Sequence, residues 1–215
     1  MESVVYFARE PLVTRLGRLA DSGQTGALRV PGDFGGTIYL DEGRIVYADS
    51  RRTPGPAMRF ADTPGWSYAV REATVDAALE LLSGRPRPAL RQPFREGERA
   101  VVEEVGGMSY GDLLVEVERR QDVLDQMAEH VTPDTVVVRN ALLDAPRLQV
   151  TELQWALLVR VGDKATPREL AWEAGHSVFS TTIEVFRLLV LRLLASASAS
   201  APRRDALSFV RAVAE

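Results

Sequence analysis

Ser177, Ser180, Thr181, Glu184 and Arg187 are the residues whose types and spacing could carry recognition chemistry in this chain. On one helix, their hydroxyls and guanidinium could bond phosphate oxygens or base edges in a DNA major groove. Glu184 among them would repel phosphates. Catalytic chemistry has less to stand on. The absence of cysteine removes thiolate nucleophiles, disulfides and Cys-ligated metal centres. His130 and His176 lie in separate segments without metal-ligand spacing. Glu103 and Glu104 are adjacent, so on a helix or strand they would diverge rather than form an acid/base pair. No Gly-x-Ser-x-Gly elbow is present. Gly32-Asp-Phe-Gly-Gly36 could cradle a phosphate, but it lies between two strand-like runs and has no P-loop lysine, so a hairpin loop is expected there. The expectation is a protein without catalytic, cofactor-binding or metal-ligating residues.

The elements that would position the five recognition residues are unusually well punctuated. Thr151-Glu-Leu-Gln154 is a capping box opening a helix that runs to Gly162. Thr166-Pro167-Arg168-Glu169 places an N-cap threonine, a proline at the first helical position and a glutamate at the third, and this helix ends at Gly175. A third helix runs from Ser177 to about Leu194. Helix, short Gly-containing turn and helix is helix-turn-helix spacing, and the region resembles the three-helix core of the winged-helix superfamily. Between Val150 and Leu194, Arg160, Lys164, Arg168, Arg187 and Arg192 are matched by Glu152, Asp163, Glu169, Glu173 and Glu184. A neutral domain is a poor start for binding phosphates. The near-continuous apolar run Val185–Leu194 implies burial on several sides. The alternating Ala/Ser stretch 195–202 reads as a linker where a β-wing would stand.

In the first half, Thr37–Leu40 and Ile45–Ala48 flank Asp41-Glu42-Gly43-Arg44, the signature of a tight hairpin. Alternation sends Ile38 and Leu40 to one face and Thr37 and Tyr39 to the other. Ala27–Val30 reads as a third strand. A leading helix carries Leu12, Leu16 and Leu19 on one face and stops at Gly23 and Gly26. Arg51-Arg52 reads as a solvated loop pair, and Trp66 and Tyr68 as packing residues. Val75, Ala78, Leu79 and Leu82 form a helical stripe that should end at Gly84, with Pro86 beyond. Arg85–Glu98 reads as a loop or a poor edge strand. Ser109 should cap a helix to about Glu129, with Leu113, Leu114, Val117, Leu124 and Met127 buried and Glu116, Glu118, Arg119, Arg120, Asp122 and Asp125 in water.

The leucine-rich helix, Thr25-Gly-Ala-Leu-Arg-Val30, the hairpin Gly36–Ala48 and the helix Asp112-Leu-Leu-Val-Glu-Val-Glu-Arg-Arg-Gln-Asp122 together resemble the PATAN family, named after the N-terminal domain of PatA-like regulators. The resemblance covers roughly Leu12 to Glu129. It implies a non-catalytic signalling module that mediates protein–protein contacts, often beside response regulators or small GTPase systems.

The whole chain of 215 residues, with 26 basic against 30 acidic side chains, carries a net charge of −4, so no overall positive field draws it to nucleic acid or acidic lipid. Its most apolar segment is too short and too charged to span a bilayer. The N-terminus lacks the basic and apolar runs of a signal peptide, which makes the cytoplasm the expected compartment. The fold class expected is α+β: an antiparallel strand meander packed with helices over 1–131, a mainly helical winged-helix-like domain over 132–195, and an Ala/Ser linker with a short amphipathic helix (Leu207, Val210 and Val213) over 196–215. The expected function is regulatory adaptation through a protein partner, with no membrane association. DNA binding through the helix-turn-helix at 166–194 is the alternative, and a homodimer is a further option.

Overall fold

The computed structural model describes residues 11–56, 64–83, 93–102, 106–141 and 148–197. The expected helix stop at Gly84 and Pro86, the pair Glu103-Glu104, most of the Ala/Ser stretch and the C-terminal amphipathic segment lie outside the described residues. The protein is α+β, with antiparallel sheets of four and two strands. It divides into two compact units: residues 1–52 with 58–118, and residues 53–57 with 119–215. Among the described residues, no helix is long and apolar enough to cross a membrane.

The first unit opens with helix α1, Leu12–Asp21, whose Leu16 is fully buried. Its C-terminus closes in a Schellman arrangement, in which left-handed Gly23 donates to Ala20 O at 3.0 Å and Gln24 donates to Leu19 O at 3.1 Å. Strands β1 (Gly26–Val30), β2 (Gly36–Asp41) and β3 (Arg44–Ser50) form the expected meander. A short edge strand β4, Phe94–Glu96, joins β1, giving the order β3-β2-β1-β4. The register sets Leu28 opposite Ile38 and Ile38 opposite Ala48, all at or below 1% exposure, so one face of the sheet is a continuous apolar layer. Helix α2, Trp66–Leu82, packs against β3.

The hairpin turn is tight because both of its central residues, Glu42 (φ 48°) and Gly43 (φ 79°), are left-handed, as a two-residue type I′ turn requires. It is seated on the end of α1. Gly43 N–H donates to Gln24 O at 3.0 Å and Glu42 N–H to Thr25 Oγ1 at 2.9 Å. The Gly32–Gly36 segment is the β1–β2 hairpin loop, and its Gly35 N–H is spent on Gly32 O at 2.9 Å rather than offered to an anion.

Two expectations for this unit change. Tyr68 is 69% exposed, because the buried stripe of α2 runs through Ala69, Val70 and Ala73. Arg52 is not a solvated loop residue. It pairs with Glu80 at 3.1 Å and lies 4.3 Å over the Phe34 ring, a geometry that draws its planar cation onto the surface.

Helix α3, Tyr110–Met127, starts as expected: Ser109 Oγ accepts from the Asp112 N–H at 3.0 Å and donates to its carboxylate at 2.7 Å. Arg120 departs from the expected wet side. It is 3% exposed, with its guanidinium 4.8 Å over the Phe179 ring and that of Arg119 at 5.7 Å.

The second unit contains β5 (Val137–Arg139), α4 (Glu152–Arg160), α5 (Pro167–Ala174), α6 (Val178–Val190) and β6 (Leu194–Ser196). Both capping boxes form, Thr151 with Gln154 and Thr166 with Glu169, each pair satisfying two otherwise orphaned amides. Gly175 (φ 64°) is the left-handed end of α5, and Ser177 caps α6 by accepting from Ser180 N–H. Leu157, Leu170, Val185 and Leu188 are at 0% exposure in the shared core, as the apolar character of Val185–Leu194 implies. The linker reading of residues 195 and 196 is overturned. After α6, Arg192 (φ 58°) reverses the chain, and β6 pairs antiparallel with β5, setting Arg139 opposite Leu194 and Val137 opposite Ser196. Asn140 Nδ2 fastens the reversal by donating to Arg192 O at 2.7 Å.

Candidate functional site

The five residues of α6 are where the sequence pattern puts them along the helix, but they do not form an exposed face. Thr181 is completely buried, and Ser177, Ser180, Glu184 and Arg187 are each half-buried. Ser177 is committed to its cap. Glu184 accepts from Gln154 Nε2 at 2.8 Å and from Arg187 Nη1 at 2.6 Å. The guanidinium that would meet a phosphate is therefore held by a neighbouring carboxylate, and Gln154 ties that carboxylate to α4. Packing thus takes Thr181 out of reach of any partner, while the other four positions stay partly accessible. Phe179, the second residue of α6, is itself covered by the guanidiniums of Arg119 and Arg120 of α3.

The surface of the same unit presents different chemistry. Trp155 is 61% exposed and Val159 57% exposed, one helical turn apart on α4. Trp172 is 50% exposed on α5, beside the exposed Glu169 and Glu173. An amphipathic helix with Leu157 and Val161 buried necessarily turns positions 155 and 159 outward. The residues on that outer face need not be apolar, yet here they are large and apolar. Single exposed hydrophobics are ordinary. Two tryptophans on adjacent, firmly capped helices are the residue type most enriched at the energetic centres of protein interfaces. Sequence reading placed Trp155 in the helix without assigning its face. The signal that could have found it is its offset of two positions from Leu157.

A second polar constellation lies on the sheet face of the first unit opposite its apolar layer. Arg29, Thr37 and Asp49 are register neighbours across β1, β2 and β3, and Tyr39 and Tyr47 stack with ring centroids 6.0 Å apart. Burial pushes the Tyr47 hydroxyl up to about 12, with the charge of Asp49 acting in the same direction. Burial also raises Asp49, against the opposing hydrogen bonds from Thr37 and the charge of Arg29. Arg29 is ion-paired with Glu98. The Tyr47 phenol is thus held protonated, the Asp49 carboxylate is hydrogen-bonded by Thr37, and Arg29 Nε is buried without a hydrogen-bond partner.

The histidines do not meet a metal-ligand set. His130 stacks on Phe186 at 5.9 Å, and among the described residues no group of three His, Asp or Glu side chains is placed to hold a metal ion. Comparison with protein-family models, with curated proteins and with solved structures finds no match to this chain.

Proposed function

We propose that the chain is a non-catalytic cytoplasmic regulatory adaptor that acts by binding a protein partner through its second unit. The observation that carries this reading is the pair of exposed tryptophans, Trp155 and Trp172, on capped helices, with Val159 beside the first. A rigid aromatic gives large contact area at little entropic cost, so such residues dominate association energy wherever they are buried by a partner. On this proposal residues 1–131 are a PATAN-like interaction module and residues 132–195 a winged-helix-like module turned to protein contact. The order leading helix, strand, tight hairpin and closing helix supports the first assignment, and the burial of Thr181 with the pairing of Arg187 to Glu184 supports the second over DNA readout.

The test is photocrosslinking from a benzophenone amino acid at position 155 or 172, with the exposed turn residue Asp163 as the control site. A discrete adduct from 155 or 172, competed by excess native protein but not by the W155A/W172A double variant, is the expected result. Each truncation should weaken competition by about 30-fold, the factor that corresponds to about 2 kcal/mol for an interface anchor. Equal competition by the double variant would overturn the proposal. In parallel, duplex DNA binding should be absent at low salt. Sub-micromolar binding that falls steeply with salt and is lost in Arg187→Ala would establish a transcription regulator instead.

A further inference from the structure

The first unit contains a cleft of about 390 Å³ walled by β3, the first turns of α2 and the segment entering α3. Its volume is within the range of small-molecule sites. Ile45, Val46, Val70 and Met108 are among its lining residues, and Ile45 and Met108 are fixed there by a reciprocal pair of backbone hydrogen bonds, each 2.9 Å. Two arginines, Arg44 and Arg71, line the same cleft. Arg44 is oriented by donating to Gly107 O, which keeps its remaining donors available. Tyr68 stands at the cleft with most of its ring in solvent.

The polar inventory selects the ligand's charge. Thr74 Oγ1 is spent on Val70 O at 2.7 Å, and Asp112 is engaged with Ser109 through both its amide and its carboxylate. Two guanidiniums therefore face one carboxylate that already has a partner. Guanidinium is suited to bidentate recognition of carboxylate or phosphate. The apolar lining and the Tyr68 ring favour a flat, carbon-rich body attached to that anion.

We propose that this cleft binds a small amphipathic organic anion, an aromatic or apolar body carrying one carboxylate or phosphate group. The site gives the first unit an input that is separate from the protein-contact surface of the second. Arg44 and Arg71 hold the anionic group, while Val46 and Tyr68 contact the body.

Fluorescence titration with 8-anilinonaphthalene-1-sulfonate tests this on the full chain. One saturable site is expected, with affinity lowered at least tenfold in Arg71→Glu. The uncharged N-phenyl-1-naphthylamine should change less than twofold in the same variant. Circular dichroism should show the exposed Arg71 substitution to be folded, and Tyr68→Ala, also exposed, should weaken both probes and supplies a second variant. Phenylacetate or phenyl phosphate should displace the sulfonate, which distinguishes the two anion types. Inorganic phosphate alone should not. The W155A/W172A variant should bind as native. Absence of saturable binding, equal loss of both probes in Arg71→Glu, or loss only in the tryptophan variant would overturn the proposal.

Discussion

Leu40→Asp should abolish folding of the first unit. Leu40 is 2% exposed on the apolar face of β2, opposite Gly26 on one side and Ile45 on the other. Truncating a buried leucine costs about 2–5 kcal/mol from lost transfer energy and the cavity left behind. An aspartate there adds an unpaired charge in an apolar layer, or the cost of protonating it at neutral pH. Together these exceed about 5 kcal/mol, which is comparable to the total stability of an ordinary domain. Thermal melting followed by circular dichroism should lose the transition of this unit. Leu40→Ala should shift it partway, and Val115→Asp, at a position 68% exposed, should leave it within about 0.5 kcal/mol of native. Unchanged melting of Leu40→Asp would refute the placement of the hairpin.

The second large effect belongs to the hairpin turn. Gly43 has φ 79°, and a Cβ built on it would stand 2.3 Å from the backbone oxygen of Ala20, where nothing flexible can give way. Gly43→Val combines left-handed strain, about 1–2 kcal/mol for any L-residue, with a β-branched side chain and displacement of the turn from its seat on α1. The expected loss is at least about 3 kcal/mol, read as a fall in the melting temperature of this unit of about 12–24 °C. Glu42 is the internal control. It is also left-handed but already carries a side chain, so Glu42→Gly should be neutral or slightly stabilising. Equal destabilisation by both substitutions would show that the clash with α1 is not the cause.

What was legible in the sequence is what depends on near neighbours. Thr151 with Gln154, and Thr166 with Pro167 and Glu169, specify helix starts because a cap is made within four residues. The 40–45 turn specifies a hairpin because few residues tolerate its dihedrals. The alternation of Ile38 and Leu40 named the buried face of the sheet for the same kind of reason, since a strand's period of two is intrinsic. The failures involve partners far along the chain. Arg120 looks like a solvated charge until Phe179 is brought beneath it. Residues 195 and 196 look like the start of a linker because alanine and serine carry no amphipathic signal, and only β5 makes them part of a strand. Thr181 is buried by tertiary packing that no hydroxyl pattern announces. At the candidate surface the limit was different: helical periodicity already points Trp155 and Val159 outward, but it does not say that their exposure would be the informative feature.

The order β3-β2-β1-β4 has a consequence for how the first unit assembles in time. The corner made by α1, β1 and the hairpin joins residues close in sequence, such as Gln24 with Gly43, so the entropy lost in closing it is small. Strand β4 must find β1 over a much longer loop, because Leu28 and Phe94 are 66 positions apart, and its three residues give little in return. The corner is therefore the early-forming part and β4 the last strand to dock and the first to leave. Amide hydrogen exchange should show this as a gradient across one sheet. Arg29, which donates to Pro93 O beside β4, should exchange through local opening, whereas amides paired between β2 and β3 should exchange only with global unfolding. Uniform protection would mean that the sheet opens as one body.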